Sequence, residues 1–121
     1  MKKYCILATL VLSGYIANAQ TSIKLEEVKD HIGDSVRVCG KVEGGRFLES
    51  ASNTPTLINV GAAFPNQLLT VVIMGEHRSQ FTGKPENDWT GKNICVTGKI
   101  VLYKEKPQIV ISKAEQVTIT P

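Results

Sequence analysis

The amino-acid sequence predicts an all-β domain built as a small five-stranded barrel. Three observations lead to this fold class. Runs of β-branched and other apolar residues, mostly alternating with polar ones, recur at residues 35–42, 56–60, 68–74, 93–102 and 108–111. Segments rich in Gly, Pro, Asn and Ser separate them. The chain has 121 residues, which suits one domain.

The first and fourth predicted strands resemble each other. Residues 33–42 and 91–100 both begin with glycine, alternate β-branched residues and carry a second glycine, Gly40 or Gly98. Such strands can be neighbours in a barrel, each bent or bulged at its inner glycine. The third strand, 68–74, is apolar almost throughout, which predicts that both of its faces are covered.

An N-terminal helix is predicted at residues 22–31. Leu25, Val28 and Ile32 recur at helical spacing, so one side of this helix should pack on the barrel. Gly33 follows as the predicted stop.

A second short helix is predicted at residues 76–81, between the third and fourth strands, and residues 114–119 are predicted to form a final extension. A helical segment in that place favours a five-stranded Greek-key barrel of the oligonucleotide/oligosaccharide-binding (OB) type. An SH3-like barrel or a small sandwich is the alternative.

Residues 1–19 are predicted to be a signal peptide. Lys2 and Lys3 precede an apolar run at 6–16, and Ala17-Asn18-Ala19 offers small residues for cleavage near the Ala19–Gln20 bond. The alternatives are a membrane anchor, which needs a run of roughly 20 apolar residues, and a buried first helix. We therefore expect residues 20–121 to be an exported domain, periplasmic or extracellular, monomeric and without stable membrane insertion.

Cys39 and Cys95 are predicted to form a disulfide. They are the two cysteines left after signal cleavage, and an even number in an oxidising compartment favours pairing. Two buried free thiols are the alternative. No C-x-x-C motif occurs and the two histidines lack ligand-like neighbours, so we expect no metal site and no cofactor.

The charge balance excludes a strongly basic protein that coats polyanions. The full chain carries 14 basic and 11 acidic residues, a net charge of +3. Removing Lys2 and Lys3 with the signal leaves 12 minus 11, or +1. Any electrostatic attraction to nucleic acid must therefore come from local clusters.

Six segments resemble those of small exported bacterial OB-fold proteins, which are generally described as nucleic-acid-binding domains. They are HIG at 31–33, VCGKV at 38–42, FPNQ at 64–67, TVVI at 70–73, CVTGKI at 95–100 and YKEKPQIV at 103–110. The resemblance covers about residues 22–117. It implies an OB barrel and, as an expectation, binding of nucleic acid.

Candidate site residues follow from how OB barrels bind. Ligands lie on the second and third strands, flanked by the loop after the first strand and the loop between the fourth and fifth. Single-stranded nucleic acid needs cations for its phosphates and flat side chains for its bases. The candidate cations are Lys41, Arg46, Lys104 and Lys106, and the candidate stacking residues are Phe47 and Tyr103. In the structural alternative the lysines only solvate loop tips and Phe47 only closes the barrel mouth.

The sequence favours a binding module over an enzyme. Its acids are scattered and no G-x-S-x-G motif occurs. The first hypothesis is weak, sequence-tolerant binding of single-stranded nucleic acid. The alternative is an envelope protein-interaction or stress-related module, favoured by aliphatic residues at Leu57, Leu69 and Met74, where the resembling proteins should carry aromatic ones. A third is a binder of small ligands or glycans.

Overall fold

The computed structural model describes residues 21–120, so the predicted signal peptide lies outside the described residues. Seven strands form one sheet. Their bounds are β1 Thr21–Ile23, β2 Ser35–Phe47, β3 Thr56–Val60, β4 Leu69–Ile73, β5 Asn93–Tyr103, β6 Lys106–Ile111 and β7 Val117–Thr120. The five predicted strands correspond to β2 to β6.

Strands β2 to β6 close into a barrel. The sheet order is β1-β2-β3-β4-β6-β5-β7, and β2 also pairs with β5. Strands β4 and β6 run parallel, while the other barrel pairs are antiparallel. This order is that of a five-stranded Greek-key OB barrel, so the predicted fold class is confirmed. The short strands β1 and β7 lie outside it, on β2 and β5.

Strand β2 is longer than predicted because a bulge lets it serve two partners. Its first half pairs with β5, and after a register shift between Val42 and Gly44 its second half pairs with β3. An extra residue at such a point bends the strand. The sequence predicted the bend or bulge at Gly40. Gly40 instead allows close packing, because a Cβ atom there would lie 2.6 Å from the Val60 side chain.

The core fills the barrel with β-branched side chains. Inward positions alternate along each strand, so Val36 and Val38 are 1% exposed while Arg37 between them is exposed. Strand β4 is buried at all five positions, as its continuous apolar run predicted. Edge-to-face packing of Phe81 and Trp89 covers one end of the barrel.

The predicted N-terminal helix is shorter than expected and is a 3₁₀ helix, Leu25–Asp30. Ser22 and Ile23 belong instead to β1, paired with Arg37 and Val38. This pairing between distant segments overrides the local helical pattern. Val28 anchors the helix at 1% exposure, as the spacing predicted, whereas Ile32, expected on the same packed face, is 38% exposed.

Two short helices lie between β4 and β5 where one was predicted. Gly75–Gln80 is a 3₁₀ helix, and Pro85–Asp88 forms the single helical turn α1, which was not predicted. Proline at the first helical position and an Asp88 carboxylate accepting the Lys84 backbone N–H account for this turn. No helix within residues 21–120 is long and apolar enough to span a bilayer.

The predicted disulfide is present across the seam that closes the barrel. Cys39 and Cys95 are directly opposite each other on β2 and β5, with their Cα atoms 3.9 Å apart. Both side chains point outward, and the Arg37 guanidinium lies 3.6 Å from the Cys39 sulfur. The bridge joins positions 56 residues apart.

Candidate binding face

The site expected from OB barrels is the outer face, defined here as the outward side chains of β3, β4 and β6. The strand register arranges them in two rows. The apolar row is Leu57, Val72 and Val110; the polar row is Asn59, Thr70 and Gln108. Val72 is 3% exposed and Leu57 is half-buried, so Val110 is the one exposed side chain of the apolar row.

Gln67, which contacts the polar row, retains unused hydrogen-bonding capacity. Gln67 donates from Nε2 to Thr70 Oγ1 at 3.0 Å. Its own Oε1 is buried and has no hydrogen-bond partner within residues 21–120. Asn59 and Thr70 are each 8% exposed, so a ligand would reach them only at their tips.

The turn between β5 and β6 projects at one end of this face. Lys104 and Glu105 form a two-residue turn between the paired residues Tyr103 and Lys106. Both turn residues have left-handed backbone angles, with φ of 51° and 66°. Such turns favour Asn and Gly, and other residues there are strained.

The side chains of this turn place an aromatic ring beside cations. Tyr103 is 59% exposed, and the Lys104 ammonium lies 5.4 Å from its ring centroid. The Lys106 ammonium donates to the Pro65 carbonyl oxygen at 2.9 Å. This contact joins the turn to the loop between β3 and β4.

That loop carries an exposed ring that the sequence analysis did not select. Phe64 is 70% exposed, the highest value among the large hydrophobic residues described. The sequence analysis used Phe64 only as part of the resembling segment FPNQ at 64–67. An aromatic residue next to proline in a polar loop was the signal available, since turns rarely need such a side chain.

The other predicted residues lie elsewhere. Arg46 points outward beside Leu57, at the opposite end of the face from Tyr103. Phe47 pairs with Thr56, whose side chain points into the barrel. Lys41 lies on the β2–β5 side, opposite Asn93. The structure thus brings Tyr103, Lys104 and Lys106 together, and separates them from Lys41, Arg46 and Phe47.

Phe47 takes part in a cluster at its end of the barrel. The Arg78 guanidinium lies 3.8 Å from the Phe47 ring centroid. It also donates to both carboxylate oxygens of Glu86, at 3.0 and 3.1 Å, and to the Thr56 hydroxyl. One face of the Phe47 ring is therefore occupied by a cation.

Glu86 is ionised in this cluster at neutral pH. Its hydrogen bonds from Arg78 hold the pKa of the carboxyl below its ordinary value of 4.5, although burial acts in the opposite direction. The pair is mutually neutralised, so it adds little field to the outer face. Across residues 21–120, no group of three or more His, Cys, Asp or Glu is placed to hold a metal ion.

Comparison with known proteins identifies the fold and not a family. No family model matches the chain, and no curated protein matches it. One similar solved structure, from Leishmania major Friedlin, is named as an aspartyl-tRNA synthetase, with a TM-score of 0.53 and 8% identity over 84% of this chain. Another is that of yeast Stn1 and Ten1, with a TM-score of 0.59 and 12% identity over 86% of this chain.

The chain spans 21% of the synthetase chain and 64% of the matched chain in the yeast structure. At such low identity the likeness concerns the backbone fold alone. It agrees with the strand order described above. The protein is an all-β chain with the OB fold.

Proposed function

We propose that this protein is a non-enzymatic module that binds single-stranded nucleic acid weakly and without strong sequence preference. One observation carries the proposal: the β5–β6 turn presents the exposed Tyr103 ring between Lys104 and Lys106, at the end of the outer face. A flat ring beside ammonium groups matches a strand of bases joined by phosphates. The similar structure named as an aspartyl-tRNA synthetase is, by its name, a protein that acts on a nucleic acid.

The strained turn supports the proposal independently. Lys104 and Glu105 occupy two left-handed positions where Asn and Gly cost less. Strain of this kind is retained most often where a side chain has a task. The positive charge of Lys104 can bind a phosphate, whereas an uncharged asparagine at this position would bind it less well.

The expected affinity is modest because few cations face the ligand. Arg46, Lys104 and Lys106 border the outer face. For three phosphate contacts on a single strand, the logarithm of the association constant should fall with the logarithm of the salt concentration with a slope of about −2. The near-neutral charge of the chain outside its predicted signal adds little long-range attraction. We propose further that residues 20–121 act after export, with the signal peptide removed.

The test is fluorescence anisotropy of a labelled single-stranded 20-mer titrated with oxidised protein comprising residues 20–121. We expect a dissociation constant below about 10 µM at low salt, weakening with the slope given above. Lys104→Ala should reduce both affinity and slope. Lys92→Ala is the matched control, because it removes one exposed lysine at the opposite end of β5.

Absence of binding at low salt would contradict the proposal, since electrostatic attraction is strongest there. It would favour the alternative, an envelope protein-interaction module. Salt-independent binding, or equal effects of the Lys104 and Lys92 substitutions, would contradict the role given to the turn.

A further inference from the structure

Exposed apolar side chains are concentrated at one end of the barrel. Seven large hydrophobic residues in the described chain are exposed. Five of them lie on three segments that meet at this end: Ile32, Phe64, Leu68, Leu102 and Tyr103. We call this set the apolar rim.

Hydrogen bonds show that the three segments meet. The Lys106 ammonium binds the Pro65 carbonyl oxygen, which joins the β3–β4 loop to the β5–β6 turn. The Gly33 backbone N–H donates to the Ile100 carbonyl oxygen at 2.7 Å, which places the segment after the 3₁₀ helix beside β5. The three segments that carry the rim are thus joined at this end of the barrel.

We infer that Phe64 is a second stacking residue, and that the apolar rim binds unpaired bases between the β3–β4 loop and the β5–β6 turn. The inference rests on the proposed function, and adds one contact residue and the route that the nucleic-acid strand takes across the protein. The strand would cross the rim at Phe64 and Tyr103. Arg46, at the far end of the outer face, and Phe47, whose ring contacts Arg78, would make no base contacts.

The chemistry of the rim favours nucleic acid over other occupants. Its two most exposed side chains are aromatic rings, Phe64 and Tyr103. Lys104 and Lys106 stand beside them, and a purely apolar peptide would supply no counter-charge for either ammonium group. The Glu105 carboxylate at the tip of the turn opposes insertion into an anionic lipid surface. Bases on the rings and phosphates on the lysines satisfy both kinds of group.

Lys106 has a second task in this arrangement. Its ammonium is held by the residue next to Phe64, so it limits how far the β3–β4 loop can move from the turn. The Phe64 ring would then need little rearrangement when a ligand binds, which lowers the entropy cost of binding.

The experiment separates base contacts from phosphate contacts. Wild type, Phe64→Ala and Ile119→Ala are titrated against a labelled single-stranded 20-mer and against an abasic 20-mer with the same phosphates. Ile119 is the matched control, because it is an exposed apolar residue on β7, away from the rim. Thermal melting checks that each variant is folded, which is expected of Phe64→Ala since the ring is mostly exposed.

We expect Phe64→Ala to weaken binding of the normal 20-mer about fivefold or more, the usual range for loss of one stacking contact. It should leave binding of the abasic strand unchanged, and Ile119→Ala should affect neither. Phe64→Trp should restore affinity, because it keeps a flat ring.

Other outcomes overturn the inference in distinguishable ways. If wild type binds with the expected salt slope and Phe64→Ala binds equally well, the inference fails and the proposed function stands. If neither oligonucleotide binds at low salt, both fail. Binding to phosphatidylglycerol vesicles that depends on Phe64, without oligonucleotide binding, would assign the rim to lipid instead.

Discussion

The cluster around Arg78 predicts a large effect of one substitution on stability. Arg78→Met removes the guanidinium while keeping a long apolar side chain. The Glu86 carboxylate, only 10% exposed, then loses its bidentate partner. The Thr56 hydroxyl and one face of the Phe47 ring also lose their contact with the cation.

The magnitude follows from the burial of the pair. Removing one member of a buried ion pair typically costs about 3 to 5 kcal/mol, because the remaining charge is uncompensated. The Arg78 side chain is 21% exposed, so water can partly replace it and the lower value of about 3 kcal/mol applies. For a domain of this size the melting temperature should fall by roughly 12 °C or more.

The assay is thermal and urea denaturation of the oxidised domain, followed by circular dichroism. Lys84→Met is the matched control, because it removes an exposed cation close to the cluster and should change stability by less than about 0.5 kcal/mol. The double variant Arg78→Met with Glu86→Gln should be more stable than the sum of the single effects implies, since no charge remains buried.

A loss below about 1 kcal/mol in Arg78→Met would refute the reasoning, because that is the range of an exposed surface pair. Additive effects in the double variant would refute it as well. Either result would mean that Glu86 is satisfied by solvent and that the cluster does not hold the end of the barrel together.

Three further predictions concern pH, redox state and the strained turn. Because the pKa of Glu86 is lowered in the folded state, its contribution to stability is complete above about pH 4.5 and is lost as the pH falls through the folded pKa. The urea midpoint should therefore fall between pH 7 and pH 3, and this fall should be smaller in Glu86→Gln. Replacing Cys39 and Cys95 with serine should lower the free energy of unfolding by about 4 kcal/mol, the chain-entropy value for a loop of this length. Wild type melted with a reductant should show the same loss of stability as the serine variant. An unchanged melting temperature would contradict this prediction. Glu105→Gly should raise stability by about 0.5 to 1 kcal/mol, because glycine adopts the left-handed angle without strain; a decrease in the urea midpoint would show that the turn is not strained.

Much of the fold was predictable because it depends on local patterns. Strict alternation in residues 35–42 and 93–100 predicted two half-buried strands, and the continuous apolar run of β4 predicted burial on both faces. The disulfide was predicted from the even number of cysteines outside the predicted signal peptide and from the expectation of export.

Features that depend on distant partners were not predictable. The predicted helix began at Ser22, and only the register with β2 makes Ser22 and Ile23 a strand. Phe47 looked available for stacking because nothing local shows that Arg78, 31 positions later, lies on its ring. Phe64 was missed because its nearness to the β5–β6 turn depends on the Lys106 contact with Pro65, which local sequence does not reveal.

The position of the disulfide has a mechanical consequence. The first described strand, β1, pairs with β2 up to Val38, and the last, β7, pairs with β5 at Cys95 and Val96. Tension applied between the two ends of the described chain therefore enters strands that are joined covalently beside both attachment points. A load carried along the covalent chain therefore bypasses β3 and β4, which lie inside the loop closed by the sulfur bridge, whereas β6 lies between Cys95 and the C-terminal end and would bear the load.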